Sequence, residues 1–195
     1  MPRFKLTIEY AGTRYSGWQI QKNARTIQGE IDRAVRTVTA RNDFELYGSG
    51  RTDAGVHAAA QVVHFDSDAD RPQSAWVRGV NSHLPPQIAV QWAQSVDAEF
   101  HARFSATARS YRYVLMNHPV RPALASRHAG WFHRELSSHP LSVKRDSSLR
   151  IRTRQRRGYR HGDARWAWDA LVLDWTVRNG RSKYARRHRV TCAQD

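Results

Sequence analysis

Residues 48–57, Gly-Ser-Gly-Arg-Thr-Asp-Ala-Gly-Val-His, place one carboxylate, Asp53, two positions from one guanidinium, Arg51, among three glycines and between two apolar stretches. Glycine has no Cβ, so Gly48, Gly50 and Gly55 allow positive φ and close approach to a bulky ligand. In an extended stretch, side chains two apart project to the same side. Arg51 is then placed to hold a phosphate while Asp53 faces a reacting carbon. Taken alone, Thr52-Asp53-Ala54 reads more simply as a turn in which the Asp side chain bonds its own backbone. Dinucleotide-binding and P-loop readings fail on spacing: no third glycine completes Gly48-x-Gly50, and no Lys-Ser or Lys-Thr follows.

The decamer continues as Ala58-Ala59-Ala60-Gln61-Val62-Val63-His64-Phe65. The whole run resembles the signature of the TruA-type tRNA pseudouridine synthases, a glycine-rich GRTDxGVHAxxQVxxF. The resemblance implies that Asp53 is the catalytic aspartate and Arg51 the basic residue beside a flipped uridine. A second stretch, residues 100–113 (FHARFSATARSYRY), interleaves arginines with aromatics. Such a mixture can stack on bases and grip phosphates. Alternation alone equally allows a core strand with Tyr111, Tyr113 and Leu115 facing inward. The stretch is similar to the family's FHARFSATAR-x-YRY segment, and by that resemblance Tyr111 is the active-site tyrosine that stacks on the target uracil. Tyr15-x-Gly17-Trp18-Gln19, and Asn81 with Leu84 and Pro85, fit two further stretches of the same family.

This resemblance implies the pseudouridine synthase fold, α/β (α+β) with a mainly antiparallel sheet and helices packed on one face. It also implies action on uridines 38, 39 and 40 of the tRNA anticodon stem-loop, usually by a homodimer whose RNA spans both subunits. Pseudouridine formation breaks the bond from uracil N1 to ribose C1′, turns the base and joins C5 to C1′. No redox agent, metal or nucleotide cofactor is required. A carboxylate can attack C1′ or uracil C6, or remove a proton at C2′, and the sequence leaves these routes open. Extruding the uridine costs about a few kcal/mol. Arg51 in the vacancy and Tyr111 on the extruded base are the residues expected to offset it.

Composition points to the same class of partner. The 195-residue chain carries a net charge of +15 with a pI near 11.1, the footprint of a polyanion-binding protein. The single Cys192 can form no intramolecular disulfide, which fits a reducing cytosol, and excludes a metal site built on several cysteines. His57, His64 and His83 have no carboxylate or cysteine at ligand spacing, so no metal is expected. The first ten residues alternate instead of presenting an apolar block, and no 18-residue apolar run occurs, so a cytoplasmic protein without membrane contact is expected. A DNA-binding reading finds neither helix-turn-helix nor zinc-finger spacing.

Several elements are needed to hold these residues. Phe4, Leu6, Ile8 and Tyr10 alternate with Lys5, Thr7 and Glu9, the period of a half-buried strand. Residues 11–19 follow as a loop. Ile27, Ile31, Ala34, Val35 and Val38 share a helical face, with Thr26 available as N-cap and arginines 25, 33, 36 and 41 at its edge or outside it. Residues 44–47 give a short strand into the catalytic loop and 61–65 a strand out of it, a rigid mount. A helix is expected over 73–83, ended by Leu84-Pro85-Pro86, and then a strand carrying Ile88, Val90 and Trp92.

The resemblance covers residues 1–136, taken as the N-terminal and catalytic-loop portion, and 137–195 reads as an atypical Arg-rich tail expected to be largely disordered. That tail holds fifteen Lys and Arg against five Asp and Glu, about two-thirds of the net charge. Residues 137–162 have few large apolar side chains and no sustained period, and disorder is expected there. Residues 166–177 are apolar enough for a packed helix or strand. The second half of the catalytic domain that the resemblance implies, with a Met-Val-Arg-Asn stretch whose arginine pairs with the catalytic aspartate, is not found. Thr176-Val177-Arg178-Asn179 echoes it in three letters but too early and without its context, so the role does not pass to Arg178. Two explanations remain: a shifted reading frame after about residue 136, which the composition favours, or a basic RNA-binding tail. The alternative to a synthase is therefore a non-catalytic basic RNA-binding protein or an inactive, truncated or frame-shifted synthase.

Overall fold

The computed structural model of the chain describes residues 1–69, 71–133, 168–178 and 181–192. It divides into two compact units, 1–106 and 107–195. The expected disorder of 137–162 lies outside the described residues.

In the first unit, strand β1 (Arg3–Tyr10) lies between β3 (Ala58–Asp66) and β4 (Ile88–Val96), with the two-residue β2 (Tyr47–Gly48) beyond β3. All three pairings are antiparallel. The alternation of β1 sends Leu6, Ile8 and Tyr10 into the core. Val63 and Phe65 of β3 stand across from Leu6 and Phe4 and face the same way. Helix α1 (Ile27–Thr39) buries Ile27, Ile31, Ala34 and Val35 in that core, and α2 (Gln73–Ser82) buries Trp76 and Val80. Fully burying an aliphatic or aromatic side chain stabilises the fold by about 1.5–3 kcal/mol, so this stripe-on-face packing dominates the unit.

Helix α1 begins where the sequence places its cap. The Thr26 hydroxyl accepts from the Gly29 amide at 3.3 Å. The two preceding helical amides are also used: Ile27 N–H donates to the Gly17 carbonyl and Gln28 N–H to that of Trp18, at 3.1 and 3.0 Å. The helix ends on Ala40 in the left-handed region, φ 55°.

Two strand expectations are adjusted. Residues 44–47 shrink to β2, because only Tyr47 and Gly48 reach partners on β3, His64 and Val63. Phe44 and Leu46 are still buried in the core without strand pairing. In β4 the register slips between Thr7 and Ile8, so that Gln91 is an extra residue. Ile88, Val90 and Ala93 face the core, while Trp92 is turned to the other face and is 57% exposed. Beside this bulge the Asn81 side chain pairs with Val90, donating to its carbonyl (2.9 Å) and accepting from its amide (2.7 Å).

On the sheet face away from the helices, His64 is 2% exposed. Its Nδ1 accepts the Ala102 amide at 3.1 Å, and the rings of Tyr47, His101 and Phe100 surround it. Burial, reinforced by His101 and Arg3 and opposed by Asp66, pushes its pKa down to about 4.

The second unit is also a sheet, ordered β6 (Gly130–Phe132), β5 (Ala108–Asn117), β7 (Trp168–Arg178), β8 (Arg181–Cys192). The β5–β6 pair is parallel, and β7 is antiparallel to both β5 and β8. Of the apolar run expected at 166–177, residues 168–177 belong to β7, and 166–167 lie outside the described residues. The whole is the α/β, mainly antiparallel architecture that the sequence implies.

Candidate active site

The loop 49–57 joins β2 to β3, and almost every hydrogen bond that holds it comes from outside it. Ser49 N–H donates to the Val62 carbonyl (2.8 Å), and Gln61 Nε2 donates to the Gly50 carbonyl (2.6 Å), closing the loop's base against β3. Further along, Trp18 N–H donates to the Thr52 carbonyl (3.0 Å) and Gly55 N–H to that of Tyr15 (3.3 Å). Val56 N–H donates to the Asp53 carbonyl at 3.2 Å, and the Tyr10 and Thr52 hydroxyls share a hydrogen bond of 2.8 Å.

Steric fit tightens the same contact. A Cβ on Gly12 would come within 1.9 Å of the Val56 carbonyl oxygen, and one on Gly17, whose φ is +90°, within 2.7 Å of that of Thr52. These two positions must be glycine for loop 11–19 to lie against the Asp53 loop. The amides of Ile27 and Gln28 hold loop 11–19 in turn, so α1 supports the Asp53 loop through one intermediate layer.

The result is an alternation along the loop. Arg51 is exposed, Thr52 is half-buried and pinned inward, and Asp53 is exposed. Among the described residues the Asp53 carboxylate has no ion-pair partner and no hydrogen bond is assigned to its side chain. An exposed carboxylate on a fixed backbone is available to a ligand without first breaking an internal contact. Of the loop's own glycines, only Gly55 takes positive φ (+81°), and nothing stands where its Cβ would go. Gly48 serves instead to admit Trp18, whose ring would lie 2.8 Å from an added Cβ.

Tyr111 belongs to the second unit. It sits in the middle of β5, opposite Trp175 in the β7 register, and is 44% exposed; Tyr113 on the same strand is 57% exposed. The alternative with both tyrosines buried in a core is not what β5 adopts.

Sequence reasoning did not assign roles to Tyr10, Thr52, Gly12 or Gly17. The one available signal was Tyr10 itself: a tyrosine on the inward face of a strand needs a partner for its hydroxyl.

Residues 6–105, from Leu6 in β1 through the Asp53 loop, match a family model described as tRNA pseudouridine synthase. The chain belongs to this family. The tRNA pseudouridine synthase A of Chromobacterium violaceum is 53% identical over 134 residues, covering 69% of this chain and 51% of that protein. That of Thiobacillus denitrificans is 54% identical over 136 residues, covering 70% and 52%. That of Dechloromonas aromatica is 50% identical over 149 residues, covering 76% and 55%. The chain therefore spans about half the length of the curated relatives it matches.

Proposed function

We propose that the chain isomerises uridine to pseudouridine in tRNA, at positions 38, 39 and 40 of the anticodon stem-loop, with Asp53 as the reacting carboxylate. The observation that carries this reading is an exposed Asp53 side chain on a backbone held at Thr52 and at Val56, within the family-matched segment. The reaction is an isomerisation: the N1–C1′ bond breaks, C5 bonds to C1′, the C5 proton leaves to solvent and N1 gains a proton. This balance asks for no external oxidant or reductant. Arg51 takes the place of the extruded base or grips its phosphate, and Tyr111 stacks on the uracil. A homodimer binding one tRNA across both subunits is part of the proposal.

A second reading has its own support, since the chain spans about half of its relatives and carries +15 overall. In it, the chain binds RNA through phosphate contacts and does no chemistry. Tritium release from tRNA labelled at uracil C5 separates the two. Release by the chain that disappears in Asp53→Ala, with the fold intact, is the expected outcome. A folded chain that binds tRNA and releases no tritium would leave only the second reading.

A further inference from the structure

Thr52, the residue before Asp53, is held to the rest of the first unit at two points. Its carbonyl accepts the Trp18 amide at 3.0 Å and its hydroxyl meets that of Tyr10 at 2.8 Å. Tyr10 is 2% exposed, at the end of a central strand, with its ring 6.0 Å from that of Trp18. At this end of β1 the register with β3 shifts: Ile8 stands across from Gln61 and Tyr10 from Ala58, so β3 has one residue more than β1. A bulge of this kind re-aims the side chains beside it. Here it brings a strand side chain to the loop that precedes the bulged strand.

We infer that Tyr10 and Thr52 are positioning residues for the reaction, their hydroxyl pair fixing the backbone from which the Asp53 carboxylate projects. The inference rests on the catalytic reading of Asp53 for its effect on rate, and on geometry alone for its effect on the loop. The pair does not touch the substrate. It sets where the carboxylate stands, and a displacement of about 1 Å costs on the order of 100-fold in rate. Because the two hydroxyls act as one unit, their effects are not independent.

The test uses the full chain with Tyr10→Phe, Thr52→Val, the double variant and Thr52→Ser, which keeps the hydroxyl. Tritium release from C5-labelled tRNA gives kcat and KM, amide hydrogen exchange reports the Trp18 N–H, and thermal melting confirms folding. Tyr10→Phe and Thr52→Val are expected to lower kcat by about 10- to 100-fold, with KM changed by no more than about twofold. The Trp18 amide should exchange at least about tenfold faster in both. The double variant should fall no further than the worse single one, and Thr52→Ser should remain near the unaltered chain. Independent, multiplicative losses, or unchanged Trp18 exchange in a folded Tyr10→Phe chain, would overturn the inference. If the unaltered chain releases no tritium, the catalytic reading fails, and the exchange series alone decides whether the hydroxyl pair holds the loop.

Discussion

At Gly17 the backbone of one loop lies so close to that of another that a single methyl group decides whether both fit. Gly17→Ala combines a strained φ of +90° with a contact of 2.7 Å to the Thr52 carbonyl. The expected outcome is displacement of the Asp53 loop and a fall in tritium release of about 100-fold or more. Gly55→Ala is the control. Its φ of +81° is also unfavourable to alanine, but open space surrounds it, so a loss of about 1–2 kcal/mol in stability with a milder loss of activity is expected. Urea denaturation and the tritium assay on both variants check the pair. The contrast shows what the sequence concealed. The decamer identified a loop with an exposed carboxylate, yet positive φ suggested at 48, 50 and 55 occurs at 55 and at 17. Gly17 and Thr52 are 35 positions apart, and no local pattern records that they touch.

Elements were more legible than contacts, because each carries its own periodicity. The alternation of β1 and the apolar stripe of α1 placed both, and Thr26 marked the start of the helix. Thr26→Ala removes the acceptor for the Gly29 amide and should lower stability by about 1 kcal/mol, read from the shift in urea midpoint. The bulge at Gln91 escaped notice, since alternation presumes that every residue has a partner opposite it. One unpaired residue reverses the phase, and Trp92, expected to continue the apolar face, points away from it. Residues 44–47 failed as a strand for the converse reason: Phe44 and Leu46 satisfy the pattern by burial but have no ladder partner.

Over the whole molecule, charge and titration set the conditions of stability. His64 titrates near 6.5 when unfolded and about 4 in the folded chain. Between these values the unfolded chain binds the extra proton, so stability is retained above about 6.5 and falls as the pH drops toward 4. The loss is on the order of 2–3 kcal/mol. Asp66 and Asp43, both held below the usual carboxylate range by arginine partners, lose their contribution only at lower pH. Urea midpoints measured from pH 7 to 4 should therefore decline in this window, and His64→Gln, which keeps an acceptor near the Ala102 amide, should flatten the decline. In the sequence His64 has no ligand-spaced partner and no further role, and its position across from Lys5 on the sheet face away from the helices became visible only with the register.

The two hydrogen bonds between Asn81 and Val90 also bear on solubility. Among the described residues strand β4 is the last in its sheet, and a last strand offers its outward amides and carbonyls to any other chain that can align with it. The Asn81 carboxamide occupies one such donor and acceptor pair at Val90, the third residue of the strand, standing in for a further strand one residue long. Asn81→Leu opens that pair and should, besides costing roughly 2–3 kcal/mol, make light scattering rise steeply with protein concentration. What ends the hydrogen-bond ladder inside one molecule is then also what stops it from continuing into the next.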